Sequence, residues 1–120
     1  MNRDKFNRIV DARCESIKQT LTKKGAEYSS DNNVFHNFDE SVGISFAKSP
    51  EMVAWEYMTK HLQSIRDLVE LTQHGYMGYP SETLVNEKIG DAINYLVLIE
   101  GMLKKRIENY RSGGISVNPL

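Results

Sequence analysis

Apolar side chains recur along this chain at steps of three and four over three long stretches, and between those stretches the pattern stops. From residue 4 to about residue 28, Phe6, Ile9, Val10, Ile17 and Leu21 fall on one stripe, with Arg, Lys and Glu on the opposite face. That spacing predicts an amphipathic helix. Between residues 29 and 49 the period is lost. Ser29, Ser30, Asp31, Asn32 and Asn33 lead into Phe35, His36, Asn37 and Phe38, which predicts a loop that carries aromatics. Ser49, Pro50 and Glu51 then supply a capping hydroxyl, a proline at the first helical position and an acid in the first turn. A second helix starts there and runs to about Gly75. It places Trp55, Met58, Leu62, Ile65 and Val69 on one face and Glu56, Lys60, Ser64 and Asp67 on another. Gly75, Gly78 and Pro80 interrupt it, and Ser81 with Glu82 begins a third helix that reaches about Tyr110.

This third helix is apolar on almost every side. Ile93, Leu96, Ile99 and Leu103 form one stripe, and Tyr95, Leu98 and Met102 form another. Its flanks are too polar and its length too short for a bilayer, so the second stripe is expected to meet a protein partner, most simply another copy of the chain. The predicted fold is therefore all-α: a small bundle of three main helices with a long aromatic loop, completed by oligomerisation as a dimer or higher. Residues 112–120, with Gly113 and Gly114 followed by Ile115, Val117 and Pro119, show no helical pattern and read as a flexible tail or flap. There is no internal repeat, low-complexity tract or linker, so residues 1–120 read as a single domain.

Composition narrows the function classes. A chain of 120 residues with 40% hydrophobic and 26% charged positions has the balance of a soluble globular domain. Its net charge of −1 offers no general field to draw a nucleic acid polymer or an anionic membrane. Neither a signal region nor a run of 18 apolar residues is present, and the single cysteine, Cys14, excludes an intramolecular disulfide. A cytoplasmic location is expected. Cys14 has Val10, Ile17 and Leu21 as helical neighbours, which predicts a packed thiol.

The candidate chemistry lies where polarity interrupts grease. In NEKIGDAINYL, Glu87, Asp91 and Asn94 share one helical face at i, i+4 and i+7. Buried there, they need hydrogen-bond partners. One solution is internal, with Asp91 accepting from Lys60 or His61. The other is a polar pocket in which Asp91 and Asn94 meet hydroxyls or a base edge, while Tyr28, Phe35, Phe38 or Tyr95 stacks. Both hold together. In KHLQSIRD, Lys60 is the better anion candidate and His61 lies beside it, either structural or at the site. Lys23, Lys24, Glu27 and Tyr28 precede the aromatic loop, where a cation and a ring suit a phosphate and a base. Arg106 and Arg111 stand before the glycine pair, placed either to close over phosphates or to complement a helix C-terminus.

Taken in order, KGAEYSS, FHNF, WEYMTKHLQSIRDLV and NEKIGDAINYLVLIEGMLKKR resemble the phage-encoded Thoeris anti-defence protein 1 family, over residues 13–106. More distantly, EKIGDAINYL is similar to the carboxylate-bearing helix of MazG-like nucleotide pyrophosphohydrolases. The first resemblance implies a sponge that sequesters the glycocyclic ADP-ribose signal of Thoeris immunity without breaking it, in pockets built at subunit contacts. Some relatives of that family hold cyclic oligonucleotides at a separate site. The second resemblance implies magnesium-dependent cleavage of a nucleoside triphosphate.

Counting acids favours the binder. Pyrophosphate cleavage needs several carboxylates from two helices to hold metal ions. Here the third helix gives Glu87 and Asp91, but Lys88 stands where that family usually adds an acid. The second helix offers only Asp67 and Glu70 one turn apart, with Arg66 beside them. Cations among would-be ligands weaken metal binding and favour an anion. The expectation is capture without turnover and without a cofactor. Tyr28 with Phe35 or Phe38 stacks on the base, Asn37, Asp91 and Asn94 read polar edges, and Lys60, Arg106 and Arg111 neutralise the diphosphate.

Overall fold

The computed structural model describes residues 1–24, 33–75 and 80–113. The chain is all-α. Helix α1 spans Arg3–Lys18 and passes into a π-helical turn at Gln19–Lys24; α2 is the short helix His36–Val42, α3 is Pro50–Gln73 and α4 is Glu82–Ser112. Among the described residues, no helix is long and apolar enough to cross a membrane.

The helix starts follow from local chemistry. The Ser49 hydroxyl accepts from the Met52 amide at 3.2 Å, and the Ser81 hydroxyl accepts from the Leu84 amide at 3.1 Å. Each satisfies an amide that the first turn leaves without a partner. Asn2 does the same for α1, its side chain accepting from the Lys5 amide at 2.9 Å. At the far end of α3, Gly75 takes a φ of +60°, a left-handed conformation that ends the helix at low steric cost for glycine.

Helices α3 and α4 form an antiparallel pair. The start of α3 meets late α4 through Glu51 and Arg106, and its middle meets early α4 through His61 and Asp91. The tightly buried apolar residues lie on this pair and the approach to it: Ala47, Val53, Ala54, Met58, Ala92 and Met102. Helix α2 lies against α3, and α1 lies across the first half of α4, where Arg13 meets Asn86. The 31 residues of α4 reach ~46 Å at 1.5 Å per residue, which sets the long axis of a body measuring 56 × 34 × 33 Å.

Four expectations need correction. The aromatic segment is not simply a loop, because His36–Val42 forms α2; helix formation there brings Phe38 onto α3. The two stripes of α4 are both mixed: in one Met102 is buried with Tyr95 and Leu98 half-buried, and in the other Ile93 and Ile99 are half-buried while Leu96 and Leu103 are exposed. On α3 the predicted stripe is only partly inside, with Met58 buried but Trp55, Leu62 and Val69 exposed. Finally, α1 buries no residue, so Cys14 is exposed rather than packed. Periodicity identified which residues share a face; it did not identify which neighbour covers that face.

Candidate functional site

A cleft of about 640 Å³ lies between α1 and the first half of α4. One wall is the α4 face read from the sequence, carrying Glu87, Asp91 and Asn94, with Glu82 at its mouth. The other wall comes from α1 and its π-helical turn: Lys5, Arg8, Arg13, Ser16 and Thr20, with Ile9 and Ala12 between them. Among the described residues, none of Lys5, Arg8 and Arg13 has a carboxylate ion-pair partner. The cleft therefore presents cations from one helix and acceptors from the other.

Two contacts define its shape. The Arg13 Nη2 donates to the Asn86 carbonyl at 3.0 Å, laying the guanidinium over Gly90. A Cβ at residue 90 would come within 2.5 Å of Arg13 Nη1, so glycine is what lets the arginine approach the helix so closely. On the same wall, the Asn94 Oδ1 is buried without a hydrogen-bond partner. A buried amide oxygen left in that state costs about 1–3 kcal/mol. A ligand N–H or O–H would supply what the fold does not.

Behind Asp91 the cleft adjoins an aromatic cluster. The His61 Nδ1 lies 3.5 Å from Asp91 Oδ2, and the imidazole stacks on Tyr95 with centroids 5.3 Å apart. Phe38, Tyr57 and Tyr95 complete a mutual triad at 6.3–6.5 Å. Burial, followed by the nearby Asp91 carboxylate and Tyr57, pushes the Tyr95 hydroxyl above its ordinary value of 10.0. Of the two internal partners open to Asp91 in the sequence, the structure selects His61. Lys60 is exposed; its backbone carbonyl accepts from the Ser64 hydroxyl at 3.1 Å.

Other anticipated ligand residues stand elsewhere. The Phe35 ring reaches α4 at Gly101: a Cβ there would come within 2.9 Å of the ring Cζ, and Lys105 Nζ sits 5.9 Å from the ring centroid. The Arg106 guanidinium is bound by Glu51, with Nε and Nη2 each donating to one carboxylate oxygen at 2.8 Å. Arg106 therefore serves the α3–α4 contact. Asn37 is exposed on α2, its carbonyl accepting from the Ser41 hydroxyl at 2.7 Å, and Arg111 is exposed in the last turn of α4. Lys24 closes the π-helical turn; Tyr28 and the expectation for the Lys24 side chain lie outside the described residues.

The four acids considered for metal binding are engaged separately. Asp67 accepts from Gln63 at 3.0 Å, Glu70 pairs with Arg66 at 3.5 Å, Glu87 lies 3.9 Å from Lys88, and Asp91 lies 3.5 Å from His61. Among the described residues, no three His, Cys, Asp or Glu side chains form a group able to hold a metal ion.

Sequence reasoning missed the α1 wall. Lys5, Arg8, Ala12, Ser16 and Thr20 recur at steps of three and four, with small residues between the cations and the helix end. That stripe was legible as a second face, but it reads as an ordinary solvated surface until α4 is placed against it. Compared with known proteins, the chain matches no family model, no curated protein and no solved structure.

Proposed function

We propose that this protein captures a small adenine-containing cyclic nucleotide and holds it intact, as a viral counter-defence sponge for the glycocyclic ADP-ribose signal of Thoeris immunity, acting in the cytoplasm of an infected or lysogenic bacterium. The observation that carries the reading is the buried, unpartnered Asn94 Oδ1 in a cleft whose opposite wall holds Lys5, Arg8 and Arg13. A ligand that is anionic at one end and offers an amine or hydroxyl at the other suits both walls at once. The cleft's 640 Å³ lies within the range of small-molecule sites, ~300–1,000 Å³. The resemblance in KGAEYSS, FHNF and NEKIGDAINYL supplies the ligand class.

In this reading the α1 cations take the diphosphate, while Asp91 and Asn94 accept from hydroxyls or a base amine. His61 and Tyr95 hold Asp91 in place from behind. Capture needs tight binding and slow release, without turnover. The same reading has the protein working as an assembly of copies. The exposure of α1 supports that, because this helix buries none of its own residues and an isolated 16-residue helix is marginal in water.

The decisive experiment incubates the protein with glycocyclic ADP-ribose, removes free ligand, heats the protein and chromatographs what is released. Intact signal is expected, together with its loss in Asn94→Ala at unchanged helical circular dichroism. Cleaved product would make the protein an enzyme. Nothing released would remove the ligand assignment. A MazG-like hydrolase remains the second reading because Glu87 and Asp91 line the cleft one turn apart. Magnesium-dependent release of pyrophosphate from a nucleoside triphosphate is its signature.

A further inference from the structure

Arg13 is the half-buried cation of the α1–α4 cleft, whereas Lys5 and Arg8 on the same wall are exposed. Partial burial of a guanidinium ordinarily comes with a carboxylate, as Arg106 has Glu51. Arg13 has none among the described residues. Of the acids that share its cleft, Glu87 lies 3.9 Å from Lys88, Asp91 lies 3.5 Å from His61, and Glu82 at the mouth makes no ion pair with it. Its described hydrogen bond goes instead to a neutral group, from Nη2 to the Asn86 carbonyl at 3.0 Å. A guanidinium carries its N–H donors in a rigid planar fork, so this bond orients the group and leaves the other donors without a described acceptor. Gly90 completes the seat. It is buried within a 31-residue helix, where glycine is a poor helix former, and a Cβ there would stand 2.5 Å from Nη1 and 3.5 Å from Cζ of Arg13.

We propose that Arg13, held between Asn86 and Gly90, is a preformed seat for a tetrahedral oxyanion, and that it selects a phosphorylated small molecule by the shape of its fork rather than by charge alone. This seat rests on the reading of the α1–α4 cleft as the capture site, but on no particular base or ring. Phosphate oxygens match the parallel N–H groups of a guanidinium bidentately, and such charge-assisted bonds strengthen where water is partly excluded. With its plane already fixed by Asn86, the side chain loses little freedom when the anion arrives. Arg8 and Lys5 stand five and eight residues earlier on the same wall, ~8 and ~12 Å along the helix axis at 1.5 Å per residue. Their long side chains suit a second phosphoryl group nearer the mouth, so a diphosphate engages the wall more fully than a monophosphate. Lysine at residue 13 would keep the charge and lose the arrangement, because donors radiating from one nitrogen cannot hold the carbonyl and also present a parallel pair to the anion.

Calorimetric titration of the full chain with inorganic pyrophosphate and with orthophosphate, at low and at higher salt, tests this. One pyrophosphate per cleft is expected, bound ~tenfold or more tightly than orthophosphate, with Arg13→Lys weakening it at least ~tenfold at unchanged helical circular dichroism. Arg8→Gln should weaken it a few-fold, and that loss should fade with added salt because Arg8 is exposed. Arg66→Lys, exposed on α3, should change nothing. Should Arg13→Lys fail to fold, Gly90→Ala displaces the same guanidinium while keeping α4, and the same weakening is expected. Equal affinity in Arg13→Lys and the unmodified chain would overturn the seat, as would an unmodified chain that binds no pyrophosphate. Glycocyclic ADP-ribose separates the seat from the nucleotide reading. Pyrophosphate bound through Arg13 without capture of that nucleotide leaves the seat and removes the ligand assignment, whereas nucleotide capture that Arg13→Lys does not weaken removes the seat and leaves the ligand.

Discussion

The two ends of α4 use an arginine in different ways. Near its C-terminal end, Arg106 is gripped by Glu51 through two parallel hydrogen bonds, and Met102 is buried beside a smaller depression of about 210 Å³. Near its N-terminal end, Arg13 reaches in from α1 to a backbone carbonyl, lies over a glycine and leaves a cleft with an unpartnered amide oxygen. The first arrangement satisfies its charges within the chain and serves stability. The second leaves charge and hydrogen-bonding capacity for something else. Unsatisfied polarity beside open volume is a stronger functional indication than charge alone, because the fold bears its cost.

The contrast is sharpest in the core. Met58→Ala, at a buried position of α3, is expected to lower stability by ~3 kcal/mol, whereas Ile9→Ala on α1 should cost under ~1 kcal/mol. Chemical denaturation of both variants checks this, and equal losses would erase the distinction between the buried α3–α4 pair and the exposed α1. Asn94→Leu works in the opposite direction. It replaces a partly buried residue whose oxygen has no partner, so stability should rise by ~1 kcal/mol while ligand capture disappears. A fall in stability would mean that Asn94 serves the fold.

A smaller effect follows from the Arg106 end. Hydrogen bonds from Arg106 hold the Glu51 carboxyl below its ordinary value of 4.5. A depressed carboxyl stabilises the fold above its unfolded pKa, and that contribution drains away as pH falls through the folded value. Stability of the native chain should therefore decline below about pH 4.5 by ~1 kcal/mol more than that of Glu51→Gln, as acid titration followed by circular dichroism would show. Parallel titration curves would remove the pair from the stability of the hairpin. The smallest change in stability belongs to Gly90→Ala. Gain in helix propensity, up to ~1 kcal/mol, offsets displacement of the flexible Arg13 terminus, so the unfolding midpoint should barely move. Ligand capture should still weaken, since the guanidinium would be pushed off its seat. Unchanged capture would show that Arg13 has no part in the cleft.

Much of the fold was legible in local chemistry. Ser49–Pro50 and Ser81 fixed the starts of α3 and α4, because a hydroxyl beside free amides acts within one turn and needs no distant partner. Gly75 marked the end of α3 for an equally local reason. The polar face Glu87, Asp91 and Asn94 was likewise readable, since i, i+4 and i+7 spacing places side chains together on any helix. The stacking roles were not. Phe35 and Phe38 look like ligand platforms in a polar segment, but α2 turns Phe38 into the Tyr57–Tyr95 cluster, and Gly101 opens a seat for Phe35.

What the sequence determined by itself, then, is the helical class, the cap positions and the membership of each face, all set by interactions spanning one or two turns. Tertiary structure decided which face meets which. It turned Met102 inward and Leu103 outward, gave Arg106 to Glu51, and brought the Lys5, Arg8 and Arg13 wall opposite Asn94. Those outcomes depend on pairings between residues 55 to 73 positions apart, such as Glu51 with Arg106 and Arg13 with Asn86, about which a local period carries no information.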